Sequence, residues 1–153
     1  METKFPEERF EIVPIESIDS TDNPDDFYYH VTTRPRQILK SGLKPNQKPS
    51  MDSGFYRNYS AGKVFFCERP GVPFWLWRIG DILEARFDMP PKLSVVRFPK
   101  SMVANAQEDG PGTKDSHVPC YFVTQPIVAT RAKLKEQIEW AKAKLESLKR
   151  RIV

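Results

Sequence analysis

Phe27-Tyr28-Tyr29-His30-Val31-Thr32 is a run of aromatic and β-branched residues, and its reading decides the fold. Such residues suit a pleated, buried surface, so the run reads as a strand. Side chains alternate along a strand, which places His30 and Thr32 on one face. The acidic, turn-rich stretch Ser20 to Asp26, around Pro24, precedes it as a loop. Downstream, Arg36 to Lys40 fits a short helix that Ser41-Gly42 ends as a glycine C-cap. Leu43 to Asn58 is polar, carries two prolines and reads as a long loop. Lys63 to Cys67 (KVFFC) reads as a second strand.

Further along, Pro73 to Leu83 carries Phe74, Trp75, Leu76, Trp77, Ile79, Ile82 and Leu83, the spacing of a helix buried on one broad face. Pro70 and Pro73 delay its start. Lys92 to Phe98 and Pro119 to Thr124 read as a third and a fourth strand, and Ile127 to Ala129 as a candidate edge. Between them, Ser101 to Asp115 reads as a helical turn and then a flexible acidic loop containing Gly110 and Gly112. Upstream, residues 1 to 26 form an arm in which Phe10, Ile12, Val13, Ile15 and Ile18 make a short strand or wrap the domain. The fold class expected is α+β.

The final segment, residues 130 to 153, has the clearest period. Leu134, Ile138, Ala141, Leu145, Leu148 and Ile152 recur at steps of four and three, a heptad-like stripe on a long amphipathic helix. Two uses fit it: packing on the helix's own domain, or a homodimer through this helix. The segment holds eight Lys and Arg against three Glu, a net +5 within a chain total of +4, which leaves about −1 for the remainder. The basic character therefore belongs to this helix, either as a solvated face or as a dock for nucleic acid or an acidic partner.

Composition excludes several classes. The 153 residues suit one core. Fourteen prolines against seven glycines favour short elements and stiffened loops. Apolar runs fall well short of the roughly 20 residues of a membrane span. Met1 to Glu11 has no apolar signal stretch, and the only two cysteines, Cys67 and Cys120, lack CxxC spacing. No membrane association, no metal site and a cytoplasmic location are the resulting expectations. A glycine-rich phosphate loop of the GxxxxGK type is absent.

Taken in order, Tyr29-His30-Val31-Thr32, then Ile38-Leu39-Lys40-Ser41-Gly42-Leu43, then Gly62-Lys63-Val64-Phe65-Phe66-Cys67 resembles the ADP-ribosyltransferase-like superfamily. These segments look like its aromatic-His-x-Thr strand, its short helix with a Gly-Leu turn, and its Gly-x-x-(Tyr/Phe)-Phe strand. The likeness spans residues 27 to 129, and size and order also resemble the small rifampin-type and, more distantly, the diphtheria-toxin-type enzymes. It implies a split β-sheet core and NAD, as substrate, giving ADP-ribose to an acceptor: a protein side chain, a nucleic-acid base, a small molecule or water. His30 and Thr32 would hold the ribose, Tyr59 and Phe65 would sandwich the nicotinamide, and Ser60 would meet its amide. An acid would assist transfer. The late strand has none, which leaves Asp115, Glu108 and Asp109 near it; the likeness to the rifampin-type enzymes, with their acid in an earlier loop, implies Asp109, with His117 as a further option. Phe65 keeps the ring but lacks the hydroxyl of the commoner Tyr. Oxocarbenium-like chemistry needs such a set: a ribose anchor, aromatic walls and a carboxylate. Two other readings stand beside it. One is an RNA 2′-phosphotransferase-like enzyme using Arg34 and Arg36. The other is a non-catalytic nucleotide-binding or interaction module working through the last helix.

Overall fold

The computed structural model describes residues 8–45, 62–87 and 92–152. Within these, six strands form one antiparallel sheet: β1 (Glu11–Val13), β2 (Phe27–Thr32), β3 (Val64–Cys67), β4 (Ser94–Pro99), β5 (Gln107–Glu108) and β6 (Cys120–Val123). Their order across the sheet is β1-β4-β2-β3-β6-β5. Four α-helices accompany it: α1 (Pro35–Ser41), α2 (Val72–Phe87), α3 (Gly110–Ser116) and α4 (Thr130–Ile152). The mixed α+β class expected from the sequence is the one observed.

Alternation along the strands sorts the core into two faces. On one, Tyr29, Val31, Val95, Cys67 and Cys120 pack with Val13, Ile18 and Val72. Helix α2 covers this face through Trp75, Leu76 and Ile79, while Trp77 is 62% exposed. That is the one-sided helix the spacing predicts. It begins at Val72, one residue ahead of Pro73, because a proline in the first turn has no amide that needs an intrahelical acceptor. On the other face, Val96, Phe98, Phe66, Val64 and Val123 pack with Phe10, Ile38, Leu43, Met102 and Ile127.

Helix α1 starts on Pro35 and ends at Gly42, whose φ of 79° and ψ of −173° lie outside the range of L side chains. The N–H of Gly42 closes the helix on the Ile38 carbonyl at 2.8 Å. The next residue, Leu43, exchanges two 2.8 Å backbone bonds with Ile127, so the expected edge at Ile127 to Ala129 is a single bridge rather than a strand.

The arm contributes β1, paired with β4 at Glu11↔Arg97 and Val13↔Val95. Arg69 holds the connection that follows. Its guanidinium donates to Asp22 at 2.9 Å, to the Tyr29 hydroxyl at 2.9 Å and to the Ser17 carbonyl at 2.8 Å. The Tyr29 hydroxyl in turn donates to Asp25 at 2.6 Å.

Two expectations need correction. Ser101 to Asp115 is not a loop in its second half, because β5 and α3 lie there. Asp109 caps α3 and Pro111 sits in its first turn, where proline is favoured, so residues that read as loop formers are helix-starting ones. Helix α4 does not lay its stripe on the domain between Ile138 and Leu148: Ile138 is 44%, Leu145 53% and Leu148 46% exposed, and Ala141 is exposed as well. No helix among the described residues is long and apolar enough to cross a membrane.

Candidate functional site

The sheet loosens at its middle. Strands β2 and β3 are registered only at Tyr29↔Cys67, whereas β2 pairs with β4 over all six residues from Phe27 to Thr32. The His30 imidazole enters the gap. Its Nδ1 lies 2.6 Å from the Phe65 carbonyl oxygen, a side chain bonding a neighbouring strand's main chain where the ladder has parted. A carbonyl can only accept, so Nδ1 carries the proton and, in the neutral ring, Nε2 is an acceptor. Desolvation pushes the His30 pKa below its ordinary value, with the Phe65 carbonyl pulling partly back, so neutrality is the favoured state.

This state makes stability pH-dependent. Unfolded, the imidazole titrates near its ordinary 6.5; folded, it titrates lower. Between those two values the unfolded chain binds more protons, so stability falls as pH drops through that window. Urea midpoints measured between pH 7 and 5 are expected to fall more steeply for the wild type than for His30→Gln.

Thr32 shares the His30 face, yet its hydroxyl accepts the Arg34 N–H at 3.0 Å and braces the turn into α1. Phe65 lies on the opposite face. Tyr29 and Cys67 pair in register, so Phe65, two residues from Cys67, follows Tyr29, while His30 follows Tyr28 and Phe66. The Phe65 ring lies 5.9 Å from the Phe122 ring across the β3–β6 pair. The aromatic neighbour on the His30 face is therefore Phe66, not Phe65. Tyr59 and Ser60 lie outside the described residues.

The acids divide in the same way. Asp109 is buried, and its carboxylate accepts the Gly112 N–H at 3.1 Å as the N-cap of α3. Its own N–H donates to the Cys120 carbonyl at 2.8 Å. Asp115 is exposed on α3, beside a hollow of about 290 Å³ lined by Phe74, Trp77 and Arg78 of α2. Both belong to the α2 side of the sheet, away from His30. Loss of the cap in Asp109→Ala is expected to cost about 1–2 kcal/mol in urea unfolding. His117 closes α3 in the left-handed conformation at φ 60° and is exposed.

Two acids do share the His30 face. Glu108 pairs across from Tyr121 and is exposed. Glu68, which the sequence reading passed over, is buried at 7% exposure and lies 2.7 Å from the Lys100 ammonium, off-line for a hydrogen bond. It neighbours Tyr28 and Tyr121, whose phenols are pushed up by burial, with the Glu68 carboxylate adding to the shift. The Tyr28 ring lies 4.6 Å from Phe66 and 5.4 Å from Tyr121, and the Lys100 ammonium sits 5.3 Å from its centroid. Strand alternation past Phe66 is the signal that would have found Glu68: two residues on, it returns to the same face.

The face thus offers a fixed imidazole acceptor, an aromatic cluster, a half-buried ion pair and an exposed carboxylate. Neither cysteine is primed as a nucleophile. Cys67 and Cys120 are both buried free thiols, and burial pushes both up. Among the described residues no cluster of His, Cys, Asp and Glu is placed to hold a metal. Compared with known proteins, the chain matches no family model, no curated protein and no solved structure.

Proposed function

We propose that the chain binds NAD where β2 and β3 part, within an ADP-ribosyltransferase-like split sheet, and transfers ADP-ribose from it to an acceptor. The observation that carries this reading is the His30 imidazole, neutral and fixed by Phe65, with Nε2 left as an acceptor and no other hydrogen bond to the ring among the described residues. A ribose hydroxyl is a donor of the right reach. The geometry favours an accepting imidazole rather than a donating one. Tyr121, half-buried on the same face and backed by the buried Phe66, offers a ring to the nicotinamide.

In the transfer step the ribose–nicotinamide bond breaks, its electron pair leaves with nicotinamide, and the acceptor attacks the ribose carbon and loses a proton. A carboxylate stabilises the positive charge that develops. Asp109 serves as a cap and Asp115 lies on the other side, so the reading assigns this role to Glu108, since Glu68 is already neutralised by Lys100. The backbones of Glu108 and His30 stand three strand spacings apart, on the order of 14 Å. They would therefore act on different parts of one ligand.

Calorimetric titration with NAD is expected to give saturable binding that His30→Ala abolishes, with circular dichroism unchanged. Glu108→Gln is expected to keep binding while lowering nicotinamide release about a hundredfold, the scale of one lost electrostatic partner. No binding at millimolar NAD would overturn the reading. A second reading, an interaction module, is favoured by the exposed stripe on α4.

A further inference from the structure

We propose that the exposed stripe of α4 is a docking surface for an acidic amphipathic helix of another protein. Ile138, Ala141, Leu145 and Leu148 lie at alternating three- and four-residue steps and all are exposed. This is the narrow two-in-seven seam of a coiled coil rather than the broad apolar face of a helix lying on a membrane.

The charges beside the seam choose the partner. With Ile138 and Leu145 at a and Ala141 and Leu148 at d, the flanking e positions hold Lys142 and Lys149 and the flanking g position holds Lys144. In the sequence the same pattern continues with Lys135, Gln137 and Arg151, so no acid flanks the seam. The acids Glu139 and Glu146 fall at b, one step farther round. Lys149 approaches Glu146 at 3.9 Å, but both are well exposed, so the pair offsets little of that charge.

A second copy is rejected by this arrangement. Paired in parallel, Lys144 of one chain meets Lys149 of the other; paired antiparallel, e positions meet e positions, Lys against Lys. A homodimer through this helix, one expectation from the heptad spacing, therefore brings like charges together along the apolar contact. A helix with leucines on its seam and Glu at its flanks meets the same positions with opposite charges and covers the same apolar residues.

The test uses the full chain and a synthetic three-heptad peptide with Leu at a and d and Glu at e and g. Calorimetry is expected to give one-to-one binding that weakens about tenfold between low salt and about 1 M salt. Leu145→Asp should abolish it. The triple variant Lys142→Glu, Lys144→Glu, Lys149→Glu should lose the acidic peptide and gain its Lys-flanked counterpart. Far-ultraviolet circular dichroism checks that each variant keeps its helix. The proposal is overturned by any of three results: no binding of the acidic peptide, a chain that sediments alone as a dimer dissociated by Leu145→Asp, or binding only to vesicles of phosphatidylserine and phosphatidylcholine.

Discussion

Gly42→Ala is expected to destabilise the fold by about 3 kcal/mol, combining a backbone conformation reserved for glycine with two main-chain hydrogen bonds at risk. At φ 79° and ψ −173° a side chain is strained whatever space surrounds it. Here the space is also taken: a methyl group would meet the Ile127 carbonyl oxygen and the Val128 side chain. Relief requires moving the 127–128 segment away, which breaks the Leu43–Ile127 bridge and uncovers Leu43 and Ile127, both buried. Urea unfolding of the variant checks this. A loss under about 1 kcal/mol would mean that the bridge contributes little. The consequence reaches the candidate site, because α1 and the bridge cover the same sheet face that carries His30.

The second large effect is at Phe98. It is fully buried on β4, with ring centroids 5.5 Å from Phe10, 5.6 Å from Phe66 and 6.1 Å from Tyr28. Phe98→Ala removes a ring shared by the arm, β2 and β3, and is expected to cost about 3–5 kcal/mol. Phe98→Leu, which restores most of the volume, is expected to cost about 1.5 kcal/mol or less. Ile12→Ala, at 47% exposure on the neighbouring edge strand, should stay within about 0.5 kcal/mol. Thermal or urea unfolding of the three variants separates a packed aromatic core from a merely apolar sheet. If Phe98→Ala were as mild as Ile12→Ala, the arm and β2 would not share one core.

The strands were legible because their residues are β-branched and aromatic and because alternation is a local property. FYYHVT and KVFFC needed no partner to be recognised. Which of their side chains would meet was not legible, because that depends on register between strands 38 residues apart, Tyr29 and Cys67. Alternation alone separates Phe65 from Phe66, but only the register shows that Phe66 shares the face of His30. The acids were harder for a related reason. Asp109 followed by Gly, Pro and Gly reads as a flexible loop, yet the same residues cap and start α3 once β6 supplies an acceptor for the Asp109 N–H. Glu68 carries a usable signal, two residues past Phe66, but it lies just beyond the end of β3, where alternation no longer fixes the face. On α4 the stripe was plain in the sequence; its exposure was not.

The central claim is that His30 presents Nε2 as an acceptor to a ribose hydroxyl of NAD. The most direct measurement is the nitrogen-15 spectrum of the His30 ring, recorded at neutral pH without and with NAD. The account predicts a neutral, Nδ1-protonated ring in both spectra, with the Nε2 resonance moving upfield on addition of NAD while Nδ1 stays in place. An Nε2-protonated or charged ring, or an Nε2 resonance unmoved at millimolar NAD, would contradict it.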